Sequence, residues 1–99
     1  MAQPICKVFL CRPTEALYQL SEEERNSLFA KVEESLERVG CKRLVFCDSR
    51  WASEHWAGWG VEVYPDIEAV QKHVRFLDEL NFYRYMEAMT LLGTETPAS

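Results

Sequence analysis

Residues 56–64 read Trp-Ala-Gly-Trp-Gly-Val-Glu-Val-Tyr, and this stretch holds most of the side chains that could do chemistry. Side chains alternate across an extended strand. Trp56, Gly58, Gly60, Glu62 and Tyr64 therefore share one face, while Ala57, Trp59, Val61 and Val63 share the other. The second set is a dry packing surface. The first sets two positions without side chains among an indole, a carboxylate and a phenol, as a pocket wall for a flat organic molecule would. The same glycines also suit a bulge or the close approach of another element. Glu62 sits in mid-strand between valines, so it is paired, exposed, or held with a raised pKa as a general acid or base. His73 lies at the margin of an apolar helical stripe, from which an imidazole could exchange protons near neutral pH or simply be hydrogen-bonded.

These residues define a candidate site. Glu62, His73 and Tyr85 are its candidate catalytic groups. Trp56, Gly58, Gly60, Tyr64, His55 and Trp59 are its candidate substrate-binding groups. Each also has a plain structural reading: an ion pair for Glu62, exposure for His55, ordinary core for Tyr83 and Tyr85. Cys6, Cys11, Cys41 and Cys47 form no CxxC pair, and the two histidines lie far from one another, so no metal is expected. The cysteines read as small buried hydrophobes in a reducing compartment. The chain has no nucleophile elbow, phosphate loop or HExxH motif.

The elements that position the site follow from pattern. Ile5 to Arg12, ending before Pro13, is rich in strand formers and reads as the first strand. Ser21 with Glu24 is a capping box that starts a helix. Leu28, Val32, Leu36 and Val39 form its apolar stripe, and Gly40 is placed to end it. Arg43 to Cys47 is a second strand, residues 48–54 a loop, and His55 to Tyr64 a third strand. Ile67, Val70, Val74 and Leu77 mark a second helix over residues 66–80, and Phe82 to Leu92 a fourth strand. The order βαββαβ is α+β and ferredoxin-like: a four-stranded antiparallel sheet with two helices on one face. Residues 1–92 make one domain and 93–99 a flexible tail.

A chain of 99 residues, 47% hydrophobic and 12% aromatic, supports one small core and has reason to bury more surface against a second copy. Its net charge of −5 opposes nucleic-acid and anionic-membrane partners. The longest uncharged apolar run, Val8 to Cys11, is far too short to span a bilayer, and the N-terminus lacks the pattern of a secretory signal, so a cytoplasmic protein is expected.

With these residues in view, the chain resembles the dimeric α+β barrel superfamily. The likeness runs through Ala16 to Arg25, Val61 to Asp66 and Phe82 to Glu87, which are similar to small uncharacterised bacterial members. Asp78 to Met86 is similar to muconolactone isomerase. The resemblance implies a homodimer whose two sheets join into a barrel, and a choice among cofactor-independent monooxygenases, polyketide cyclases, isomerases, haem-degrading oxygenases and members without activity. Haem is the least fitting of these, since nothing beyond His73 asks for it. The expected function is a cofactor-independent isomerase, cyclase or monooxygenase acting on an aromatic, polyketide or lactone-like metabolite. The alternative is a non-catalytic dimeric module that binds a small organic ligand or assembles with a partner enzyme.

Overall fold

The computed structural model describes residues 3–97. Its elements are β1 (Ile5–Pro13), α1 (Glu15–Tyr18), α2 (Glu22–Arg38), β2 (Lys42–Asp48), β3 (Gly58–Tyr64), α3 (Ile67–Glu79), α4 (Phe82–Tyr85) and β4 (Met86–Gly93). The strands form one antiparallel sheet in the order β2-β3-β1-β4. This is the ferredoxin-like arrangement expected from the pattern, with α2 and α3 packed on one face.

Local chemistry sets each boundary. At α2 the Ser21 hydroxyl accepts from the Glu24 amide at 3.1 Å, and the Glu24 carboxylate accepts from the Ser21 amide at 2.9 Å, closing the capping box. Gly40 follows the helix with φ +78°, a left-handed conformation that suits glycine. Asp66 caps α3 by accepting from the Ala69 amide at 2.8 Å. The main core joins Val32 and Leu36 of α2, Tyr64 of β3, and Ala69, Val70 and Leu77 of α3.

Four expectations change. The third strand starts at Gly58, not His55, because the Ser53 hydroxyl accepts from the amides of His55 and Trp56 and holds them in a turn. The fourth strand starts at Met86, because Asn81 adopts a left-handed φ of 59° and leads Phe82–Tyr85 into a helical turn. β4 then extends through Gly93, so the expected tail loses its first residue; Ser99 and Ala98 lie outside the described residues, as do Met1 and Ala2 of the N-terminal reading. In α3, His73 is buried and Val74 exposed, which places the imidazole within the packed face of the helix and not at its margin.

The sheet has two unlike faces. Cross-strand partners point the same way, so Arg43, Glu62 and Lys7 form one row beneath the helices, and Phe46, Gly60 and Phe9 form the next. Arg43 and Phe46 are three residues apart and would face opposite sides in a regular strand. The register shift between Arg43 and Val45 turns both inward. The opposite face carries Val8, Val45, Trp59, Met89 and Leu91, and no element of the described chain covers it.

Candidate active site

The site begins with Glu62, which is only 3% exposed. A carboxylate removed from water needs charge or hydrogen bonds to offset lost hydration, and three neighbours supply them. Arg43 donates to Glu62 Oε2 from its NH2 nitrogen at 3.2 Å and from Nε at 3.4 Å. The Tyr64 hydroxyl donates to Oε1 at 3.0 Å. Lys7 Nζ lies 3.8 Å from Oε1, an ion pair without a hydrogen bond. Arg43 also donates to Glu33 of α2 at 2.7 Å, tying the sheet to the helix.

Below this row Gly60 and Gly58 let two rings approach. A Cβ at Gly60 would lie 2.6 Å from the Phe9 ring and 2.9 Å from the Val45 carbonyl oxygen; one at Gly58 would lie 3.0 Å from the Phe46 ring. The two rings meet above the glycines, with centroids 5.6 Å apart. The glycines therefore do not leave an open wall, as the strand pattern suggested. They make room for Phe9 and Phe46, and those rings line the space.

Between this surface and the helices lies a cavity of about 100 Å³. Lys7, Glu62, Arg43, Glu33 and His73 are its charged and titratable lining, with Phe9 and Phe46 among its apolar walls. Phe29, Phe46 and Tyr83 are partly exposed and carry the lining out toward solvent. A larger groove of about 450 Å³ runs outside α2 and α3, but the charged side chains along it, among them Arg38, Glu68, Lys72 and Arg75, are exposed and solvated. The buried titratable groups converge in the smaller space.

His73 reaches it from α3. Its Nδ1 lies 2.8 Å from the Ser35 hydroxyl of α2, and both residues are buried. Among the described residues Nε2 has no hydrogen-bond partner, yet no solvent-shielded side-chain nitrogen or oxygen is left unsatisfied. Nε2 thus keeps some accessible surface, and His73 is among the residues that line the cavity. Burial, then the positive charges of Lys7 and Arg43, pull the His73 pKa down to about 4, so the ring is neutral at pH 7. Burial lowers the Lys7 pKa, with Glu62 opposing. Burial, followed by the Glu62 charge, pushes the Tyr64 hydroxyl far above its usual range and the Cys41 thiol up to about 11.

Of the candidate residues, Glu62 and His73 line one cavity, and Tyr64 lies directly behind Glu62. Gly58 and Gly60 lie against the Phe46 and Phe9 rings that wall it, and the remaining candidates lie elsewhere. Tyr85 packs beside Leu20 and Leu80 on the far side of the α2 N-terminal half. Trp59 is on the uncovered sheet face. His55 and Trp56 belong to a clamp at the sheet end: Arg12 pairs with Glu87 at 2.6 Å, donates to His55 Nδ1 at 3.0 Å and lies 5.8 Å from the Trp56 ring centre. Sequence reasoning missed Lys7, Arg43, Ser35, Phe9 and Phe46. Only Lys7 left a signal, as a lone charge in an apolar strand. Among the described residues no three His, Cys, Asp or Glu side chains are grouped to hold a metal ion, and no helix is long and apolar enough to cross a membrane.

No protein-family model and no curated protein matches the sequence. Solved structures do. A chlorite dismutase from Candidatus Nitrospira defluvii superposes with a TM-score of 0.72 at 20% identity, over 98% of this chain and 42% of that one. A Rhodopseudomonas palustris protein of unknown function gives 0.70 at 16% identity, over 99% and 86%. SnoaB, a cofactor-independent oxygenase from Streptomyces nogalater, gives 0.59 at 16% identity, over 98% and 97%. The chain shares a ferredoxin-like fold with these proteins. At these identities the likeness carries the fold, and enzymes are among the proteins that share it.

The His73 environment makes stability depend on pH. Its folded pKa of about 4 lies below its ordinary 6.5. Between those values the unfolded chain binds the proton and the folded one does not, so the contribution is full above pH 6.5 and is lost as pH falls toward 4. The loss amounts to about 3 kcal/mol. His73→Asn keeps a polar atom for Ser35 and cannot titrate, so urea unfolding should show a flatter pH dependence than wild type across this window. Equal slopes would mean that the ring is not held neutral.

Proposed function

We propose that the protein is a cofactor-independent enzyme acting on a small aromatic, polyketide or lactone-like metabolite by isomerisation, cyclisation or oxygenation. The observation that carries this reading is the convergence of His73 and the Lys7–Glu62–Arg43 row on one aromatic-walled cavity. His73 is the proton carrier. In the tautomer whose Nδ1–H donates to Ser35, Nε2 accepts a proton from the substrate. Glu62, with its oxygens engaged by Arg43 and Tyr64, acts by holding the neighbouring cations in place. The aromatic walls give the substrate ring an apolar surface beside the exchange. SnoaB supports the reading in kind, as a cofactor-independent oxygenase of the same fold.

The test is a screen of small aromatic ketones, phenols and lactones by protein NMR, with turnover of the binders followed by mass spectrometry. His73→Asn should lower kcat about 10²–10⁴-fold, the usual scale of general acid–base catalysis, and leave ligand affinity within a few-fold. Unchanged turnover would remove His73 from the mechanism. Ligands that bind in the cavity and are never converted would favour the alternative, a non-catalytic binding module.

We propose further that the working form is a homodimer joined through the uncovered sheet face. Trp59, Val8, Val45, Met89 and Leu91 leave apolar surface there that a second copy would bury. Stable pairs bury roughly 800 Å² on each partner, a scale within reach of a four-stranded face. Wild type should sediment as a dimer at micromolar concentration and Trp59→Lys as a folded monomer. A monomeric wild type would contradict the proposal.

A further inference from the structure

Lys7 is the cation in the cavity with the least to do. Arg43 divides its donors between Glu62 and Glu33. Lys7 is nine-tenths buried, and among the described residues its ammonium donates no hydrogen bond; the nearest partner of Nζ is Glu62 at 3.8 Å. An ammonium has three donors, and a buried one that uses none is costly. Because no solvent-shielded side-chain nitrogen is left unsatisfied, Nζ keeps some accessible surface, and Lys7 is among the residues that line the cavity. Lys7 stands in β1 directly across from Glu62, so the sheet register fixes its base while its tip remains available. Phe9 and Tyr64 flank it, with ring centres 5.6 and 5.9 Å from Nζ.

We infer that Lys7 Nζ is an oxyanion-binding group, and that the cavity takes small planar carbonyl or phenol compounds whose reacting form is an enolate or phenolate. This rests on the enzymatic reading above and deepens it by naming the substrate class. The electrostatics fit. Lys7, Arg43, Glu62 and Glu33 all line the cavity, but Arg43 is partly exposed and bound on both sides by Glu62 and Glu33, so Lys7 is the buried cation left with a single, 3.8 Å partner. The positive charges of Lys7 and Arg43 act on His73 and disfavour its protonation, with Glu33 opposing. A substrate oxyanion beside Lys7 offsets those positive charges and raises the proton affinity of the imidazole. The two events support each other: a proton leaves the substrate for Nε2 as its electron pair delocalises onto the oxygen facing Nζ. No other reactant is needed for that step.

The probe is 4-nitrophenol, whose phenolate absorbs in the visible and whose free ionisation occurs near neutral pH. Added to wild type below its own pKa, it should ionise at least about tenfold more readily in the bound state, seen as rising phenolate absorbance, since a desolvated cation strongly favours an adjacent anion. Lys7→Met should still bind the ring by protein NMR without this ionisation, and Lys7→Arg should restore part of it. Binding to wild type with no enhanced ionisation overturns the oxyanion role of Lys7 and leaves the cavity reading intact. Enhanced ionisation that persists in folded Lys7→Met also overturns it. No binding at millimolar concentration overturns both readings. If neither variant folds, Lys7→Gln takes the place of Lys7→Met, with the same two outcomes.

Discussion

A carboxylate under the helices is the constraint around which the rest of this small fold is arranged. Glu62 occupies the middle of an inner strand, where hydration is lost and the cost of an unpaired charge is several kcal/mol. Its partners come from both neighbouring strands, Arg43 of β2 and Lys7 of β1, in a single cross-strand row. Sheet order and register are therefore tied to charge pairing, because a one-residue slip would turn either cation to the opposite face. Tyr64, two residues further along β3, adds its hydroxyl from the same side and anchors the main core with its ring.

The row also explains the packing beside it. With Arg43 committed to Glu62, Phe46 reaches the same face only through the bulge near Leu44, and its ring meets Phe9 only because Gly60 has no side chain. Charge pairing, bulge and glycine together create an aromatic-walled space with a polar end. The helices complete it: α2 contributes Ser35 and Glu33, and α3 contributes His73. A neutral imidazole held by Ser35 beside two cations is a consequence of this assembly, and the proposed chemistry uses it.

The fold was legible because its signals are local. The capping box at Ser21, the stripe from Leu28 to Val39, the glycine at position 40 and the strand runs each act within a few residues, and the structure follows them. The site was legible only in part. Alternation showed that Glu62 and Tyr64 share a face, but Lys7 and Arg43 join them through register, a long-range property that no single strand records. The tryptophan cluster misdirected for the same reason. Trp51 is 86% exposed, Trp56 lies in a turn shaped by Ser53, and Trp59 is on the uncovered face. Sequence spacing reports which residues sit together on a strand, not which face the helices will cover.

The account stands or falls on the buried ion pairs of Glu62. The most direct test is urea unfolding of Glu62→Gln, a change that preserves shape, removes the charge and turns one of the two acceptor oxygens into a donor. Leaving Lys7 and Arg43 without their buried partner should cost about 3–5 kcal/mol, the range for breaking a buried pair on one side. A loss below about 1 kcal/mol, the scale of exposed pairs, would mean that Glu62 is solvated and that the row beneath the helices does not organise the cavity.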